Sequence, residues 1–115
     1  MQTGKESFGK YGKTFQEGLV QLIFEERPFA DQITEVLDVA FLELEYLRVF
    51  LRKTMDYRDK YDRHPSAQTM DTILNVDLGD EEPLVVEQVH SYFKKITACE
   101  VPDGEFIKET SIDFC

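Results

Sequence analysis

The sequence predicts an all-α domain, a compact bundle of five to six helices around one long central helix. Three observations carry this. Apolar residues recur at spacings of three and four along most of the chain, and no stretch alternates as a half-buried strand would. Residues 38–61 contain neither Gly nor Pro and outrun an average helix. Elsewhere Pro28, Pro65, Pro83 and Pro102 leave room for helices with short connections between them.

Residues 1–13 hold Gly4, Gly9 and Gly12 among polar side chains, with Lys5, Lys10 and Lys13 but no apolar core. That is not a signal peptide, and it reads as a flexible N-terminal arm. Structure is expected from Thr14, because Thr14-Phe15-Gln16-Glu17 has the form of a capping box. Phe15, Leu19, Leu22 and Ile23 then follow one helical face, with an end expected near Glu26. Gly18 costs this helix up to ~1 kcal/mol relative to Ala, and it permits a second helix to approach closely. Pro28 suits the first turn of a short second helix whose buried side is Phe29, Ile33, Val36 and Leu37. Asp38 begins the link onward, with Phe41 as its anchor.

The central helix carries two apolar stripes. Leu44, Leu47, Leu51 and Met55 form one, Tyr46, Phe50, Tyr57 and Tyr61 the other, and Val49 widens the face. A surface helix shows one stripe of about 100°, so two predict neighbours on more than one side. Pro65 ends this helix, and Ser66 caps the next, residues 67–76, with Met70, Ile73 and Leu74 inward. The acidic turn 77–82 lacks the ligand pattern of an EF-hand loop, and its carboxylates favour the positive end of the helix that follows. Pro83 opens a fifth helix with Val85, Val89, Phe93 and Ile96 inward and Lys94 and Lys95 in its last turn. After the break at 99–104 a sixth helix starts at Asp103, with Phe106, Ile107, Thr110 and Phe114 spaced for packing. It reaches Cys115 with no stop signal, and the chain is expected to be the front of a longer protein.

At 115 residues the chain makes one core, and its net charge of -10 argues against a general nucleic-acid binder. It is compatible with a basic partner. Within that acidic total, Arg48, Arg52, Lys53, Arg58, Lys60 and Arg63 concentrate six of the 13 basic residues on and just after the central helix. Asp56, Asp59 and Asp62 interleave with them. One reading is a solvated face with local pairs such as Asp56 with Lys60. The sharper reading is a basic surface that meets an acidic partner or nucleic acid. Cys99 and Cys115 do not make a disulfide framework and are expected as free thiols. No apolar run approaches the ~20 residues of a membrane helix, so a cytoplasmic location is expected, the host cytoplasm for a phage protein.

Catalytic signatures are missing from the sequence. Gly12-Lys13-Thr14 ends like a phosphate-binding loop, but no upstream Gly or strand accompanies it. His64 and His90 fall in different elements and outside any metal-ligand spacing. Cys99 with His90 could be drawn as nucleophile and base, yet no third group is legible. No catalytic residue, cofactor or metal is expected.

Leu19-Val20-Gln21-Leu22-Ile23-Phe24, Pro28-Phe29-Ala30, Phe41, and the long helix running into Lys60-Tyr61-Asp62-Arg63-His64-Pro65-Ser66 resemble the N-terminal domain of DnaB-type replicative DNA helicases. The likeness is nearest to those of T-even-like tailed phages. It covers about residues 12–115, and Phe106-Ile107-Lys108-Glu109-Thr110 through Phe114 is similar to the start of the helix that leads toward the family's hairpin and linker. The resemblance implies a non-catalytic collar domain over residues 14–102, with residues 103–115 starting a truncated helix. It implies roles in ring assembly with other helicase subunits and in docking primase or a helicase loader. Phe106, Ile107 and Phe114 would then be candidates for self-association. Cut short, they are expected to fold back or pack on a neighbour, leaving a monomer or a weak dimer. Two other classes compete: a free-standing phage or bacterial adaptor or inhibitor of a host enzyme, and a small DNA-binding domain, against which the interleaved aspartates speak.

Overall fold

The computed structural model describes residues 7–115 and is all-helical over them. Six α-helices follow in order: α1 (Gly12–Glu25), α2 (Arg27–Ile33), α3 (Glu45–Tyr61), α4 (Ala67–Val76), α5 (Pro83–Ile96) and α6 (Gly104–Phe114). Short 3-10 turns, Phe8–Tyr11 and Val39–Phe41, precede α1 and α3.

The central position of α3 follows from its composition. Leu47, Val49, Phe50 and Leu51 are fully buried. The Phe50 ring meets Phe24 of α1 at 5.4 Å and Tyr92 of α5 at 5.3 Å, centroid to centroid, both edge-on. One aromatic side chain thus joins three helices, in the edge-to-face geometry that the ring quadrupole favours. α6 packs on the other side of α1, where the bare backbone of Gly18 receives Ile107. Helix ends follow local chemistry. The Ser66 hydroxyl accepts the Thr69 N–H at 3.1 Å, and Pro28 and Pro83 occupy the first turns of α2 and α5.

Several expectations are corrected. Residues 38–44 are not part of the long helix. The side chain of Asp38 accepts from the Ala40 N–H, a 3-10 turn follows, and Leu42–Leu44 runs extended into α3. Leu42, fully buried, anchors this link more deeply than Phe41 does. The capping box at Thr14 does not form, because α1 begins at Gly12 without a side-chain cap. Glu17, its supposed fourth member, turns instead toward α3 and α5. Val36 lies exposed beyond the end of α2, and Tyr61 is half exposed at the end of α3. On α5, Tyr92 is buried in addition to Val89 and Ile96.

The arm also shortens. Residues 1–6 lie outside the described residues, but Phe8 is 0% exposed and the turn it starts belongs to the core. Gly12 allows that turn to enter α1 with φ at +89°, which a side chain would strain. Gln16 then fastens the junction. Its amide donates to the carbonyl oxygens of Gly12 at 3.3 Å and Phe8 at 3.5 Å, and its own oxygen accepts the Glu43 N–H at 2.8 Å. A buried amide is tolerated because its polar atoms are paired. No described helix is long and apolar enough to cross a membrane.

Candidate docking surface

The C-terminal half of α3 leaves the core and becomes one wall of a groove, with α4 as the other. Pro65 and the Ser66 cap turn the chain back so that α4 buries Met70 and Leu74 and leaves Ile73 half-buried. The groove encloses about 460 Å³ and is lined by Lys53, Asp56, Tyr57, Lys60, Tyr61, Ile73 and Asp77. The Tyr57 and Tyr61 rings lie 4.7 Å apart. The Lys60 ammonium stands 5.3 Å from the Tyr61 ring centroid, within cation–π reach. Lys53 crosses the groove end to the Asp77 carboxylate at 3.0 Å, tying α3 to the α4 terminus. Tyr61 is 54% exposed and Val76 is 76% exposed. The result is an open amphipathic trough in which two tyrosines and an isoleucine lie among four charged side chains, and aromatic residues are enriched at protein interfaces.

The six basic residues singled out in sequence do not form one surface. Lys53 and Lys60 belong to the groove. Arg48 is folded back onto the first turn of its helix, pairing with Glu45 and donating to the Leu42 carbonyl at 2.7 Å. Arg52 is exposed. Arg58 falls two residues from Lys60 and therefore on the far side of the helix, at ~100° per residue. There it pairs with Asp31 and joins Arg63 and His64. Lys60 has no salt bridge to Asp56 or any other carboxylate among the described residues; its near contact is the Tyr61 ring.

Of the three α6 residues singled out in sequence for self-association, Ile107 is buried under α1. Phe114 is half-buried, its ring 4.4 Å from Phe8 and 5.4 Å from Phe41. Phe106 alone is largely exposed, with one edge toward Phe15. The helix thus folds back on its own domain.

A second cleft, about 360 Å³, lies between α1, α3 and α5 around Glu17. The Glu17 carboxylate accepts from the Tyr46 hydroxyl at 2.5 Å and from the Lys95 ammonium at 2.8 Å. Burial works to raise its pKa, but the hydrogen bonds from Lys95 and Tyr46 outweigh burial and hold the carboxyl below its usual range. Burial and the facing carboxylate push the Tyr46 hydroxyl well above the usual tyrosine value. An acid so strengthened and a phenol so weakened are poor proton carriers near neutrality. Tyr92 completes the cleft by donating to the Glu17 carbonyl at 2.6 Å. Sequence reasoning missed this trio; Glu17, Tyr46 and Tyr92 are too far apart in the chain for any spacing rule.

The histidine after α3 is locked from both sides. Its Nε2 lies 2.5 Å from the Phe24 carbonyl and its Nδ1 2.7 Å from the Arg58 guanidinium, so Nε2–H donates and Nδ1 accepts. Cys99 and Cys115 are free and exposed. Among the described residues no group of His, Cys, Asp and Glu is arranged to hold a metal ion. Comparison with protein-family models, curated proteins and solved structures returned no match.

Proposed function

We propose that this chain is a non-catalytic protein-docking domain, of the kind that forms the N-terminal collar of DnaB-type replicative helicases. In this reading the collar helps assemble the helicase ring and docks primase or a loader during DNA replication, in the cytoplasm of the cell or phage host. The observation that carries it is the α3–α4 groove, where an exposed Tyr61 and the half-buried Tyr57 and Ile73 line one trough with Lys53 and Lys60. Tyrosine side chains are among the commonest anchors of protein interfaces. The resemblance of residues 12–115 to the helicase collar supplies the biological setting. The motor activity would belong to a separate domain of such a helicase.

The test is calorimetric titration of the chain with the primase encoded by the same genome. Tyr61→Ala and Lys60→Glu should each weaken binding about tenfold, the loss of roughly 1.4 kcal/mol at an interface anchor. Unchanged affinity in both variants would remove the groove from the interface. The reading frame downstream of Cys115 tests the setting independently. A phosphate-binding loop there supports the helicase; a stop codon there would move the reading to a free-standing adaptor or inhibitor.

A further inference from the structure

On the side of α3 opposite the groove, three guanidinium groups from separate parts of the chain converge on one small pocket. Arg27 comes from the first residue of α2, Arg58 from the last turn of α3, and Arg63 from the loop that follows. Asp31, Asp62 and His64 complete the lining. Three guanidiniums against two carboxylates leave one net positive charge, with His64 neutral, on a chain whose total is -10.

The three arginines are not equally engaged. Arg58 is 16% exposed and held from two sides, pairing with Asp31 and donating to His64. Arg27 reaches the same Asp31 only at 3.9 Å and is 62% exposed. Arg63 has no salt bridge among the described residues and is exposed. Asp31 and His64 hold the inner guanidinium, while the two outer ones retain most of their donors. Such a planar fork matches the oxygens of a tetrahedral oxyanion better than an ammonium does. The pocket measures about 60 Å³, where one water needs roughly 10–15 Å³ on the same measure. That is room for one tetrahedral group.

We propose that Arg27, Arg58 and Arg63 form a binding site for a single phosphate dianion, free or as a phosphomonoester. Arg58 supplies the pre-positioned donor, and Arg63 and Arg27 close on the outer oxygens. Asp31 positions Arg58 but also repels the ligand, so it sets an upper limit on affinity. The site is distinct from the α3–α4 groove and does not depend on how that groove is used.

Free phosphate and the terminal phosphate of a nucleotide share this chemistry, and NMR titration separates them. Inorganic phosphate and AMP are added to the chain at constant ionic strength, with adenosine and a ten-residue thymidine oligonucleotide in parallel. Saturable shifts of the Arg27, Arg58 and Arg63 side-chain signals, with a Kd of about 1 mM, are expected for phosphate or AMP. Equal affinities assign the site to the phosphate group alone, and tighter AMP binding assigns it to nucleotides. Arg63→Gln, an exposed change that leaves the fold intact, should weaken binding about tenfold. Asp31→Asn keeps an oxygen acceptor for Arg58 and should tighten binding by removing one of the two carboxylates that line the pocket. Shifts that rise without saturation, spread over lysines elsewhere, or persist unchanged in Arg63→Gln would overturn the site. So would binding of the oligonucleotide in preference to both phosphate and AMP.

Discussion

Gly18 and Ile107 touch so closely that a methyl group on residue 18 would stand 2.8 Å from the Ile107 Cδ1 and 3.2 Å from a Val101 methyl. The glycine lies in the middle of α1, where Ala would gain ~1 kcal/mol of helix propensity. Overpacking a filled site costs ~1–3 kcal/mol, so the gain and the cost nearly cancel. Gly18→Ala should therefore leave stability within about 1 kcal/mol of the parent. On an Ile107→Val background, which removes the offending methyl, the same change should be more favourable by about 0.5–1.5 kcal/mol. Urea melts of the four proteins give the coupling. Strictly additive effects would show that α6 does not sit on Gly18 in solution.

Phe8 supplies a second test. It is fully buried and its ring contacts Phe114, Phe15, Phe41 and Tyr11 at centroid distances between 4.4 and 6.1 Å. Phe8→Ala should cost ~3–5 kcal/mol, comparable with Leu47→Ala or Leu51→Ala in α3 at ~2–5 kcal/mol. A loss below about half a kcal/mol, as at an unconstrained surface position, would restore the view of residues 7–13 as a flexible arm.

The contrast between Phe8 and Leu47 explains how much of the fold was legible. Leu47, Leu51, Met70 and Val89 repeat at helical spacing, so their burial follows from periodicity. Pro28, Ser66 and Pro83 mark helix starts through local geometry and are found where the sequence put them. Phe8 stands in a short glycine-containing polar stretch with no helical repeat of its own, and its burial depends on Phe41 and Phe114, which only the tertiary fold brings near. Glu17 misled for the same reason. Four residues matched a capping box, but Tyr46 and Lys95 offered its carboxylate better partners across the bundle. The six cations of α3 and its loop looked like one surface because sequence proximity does not record which side of a helix a residue faces. Tyr57, Tyr61 and Ile73 were each legible as apolar, and only the turn at Pro65 made them one groove.

The half-buried Glu17 carboxylate yields a pH prediction. Glu17 has a folded pKa below its unfolded value, so the unfolded chain binds the proton more readily. Its contribution is present above the unfolded value near 4.5 and is lost as pH falls through the lower folded value. Tyr46 has the opposite sign. Its folded pKa lies above 10, so its contribution is complete below pH 10 and is lost as pH rises beyond it. Tyr46→Phe should flatten the alkaline limb of a stability–pH curve, and Glu17→Gln should flatten the acid limb below about pH 4.5. Chemical denaturation from pH 3 to 11 reads both. Curves from the variants that overlay the parent on those limbs would mean that the hydroxyl–carboxylate bond is not maintained.

His64 acts in a different window. Its folded pKa is lowered below 6.5, first by burial and then by the charge of Arg58, while the Phe24 carbonyl and Asp31 work the other way. Nδ1 accepts from Arg58, and protonation would place an N–H against a guanidinium donor. The unfolded histidine therefore takes up its proton first as pH falls. Stability owed to His64 is complete above about pH 7 and declines as pH drops through 6.5 toward the folded value. Carboxylate titration lies lower, so a decline between about pH 7 and 5 isolates the imidazole. His64→Gln keeps a donor for the Phe24 carbonyl and removes the titration, and it should abolish that decline while lowering stability at pH 7.5 by about 1 kcal/mol. The imidazole pKa itself, followed by NMR through the ring proton shifts, provides the direct check. A value at or above 6.5 would mean that Arg58 does not face Nδ1.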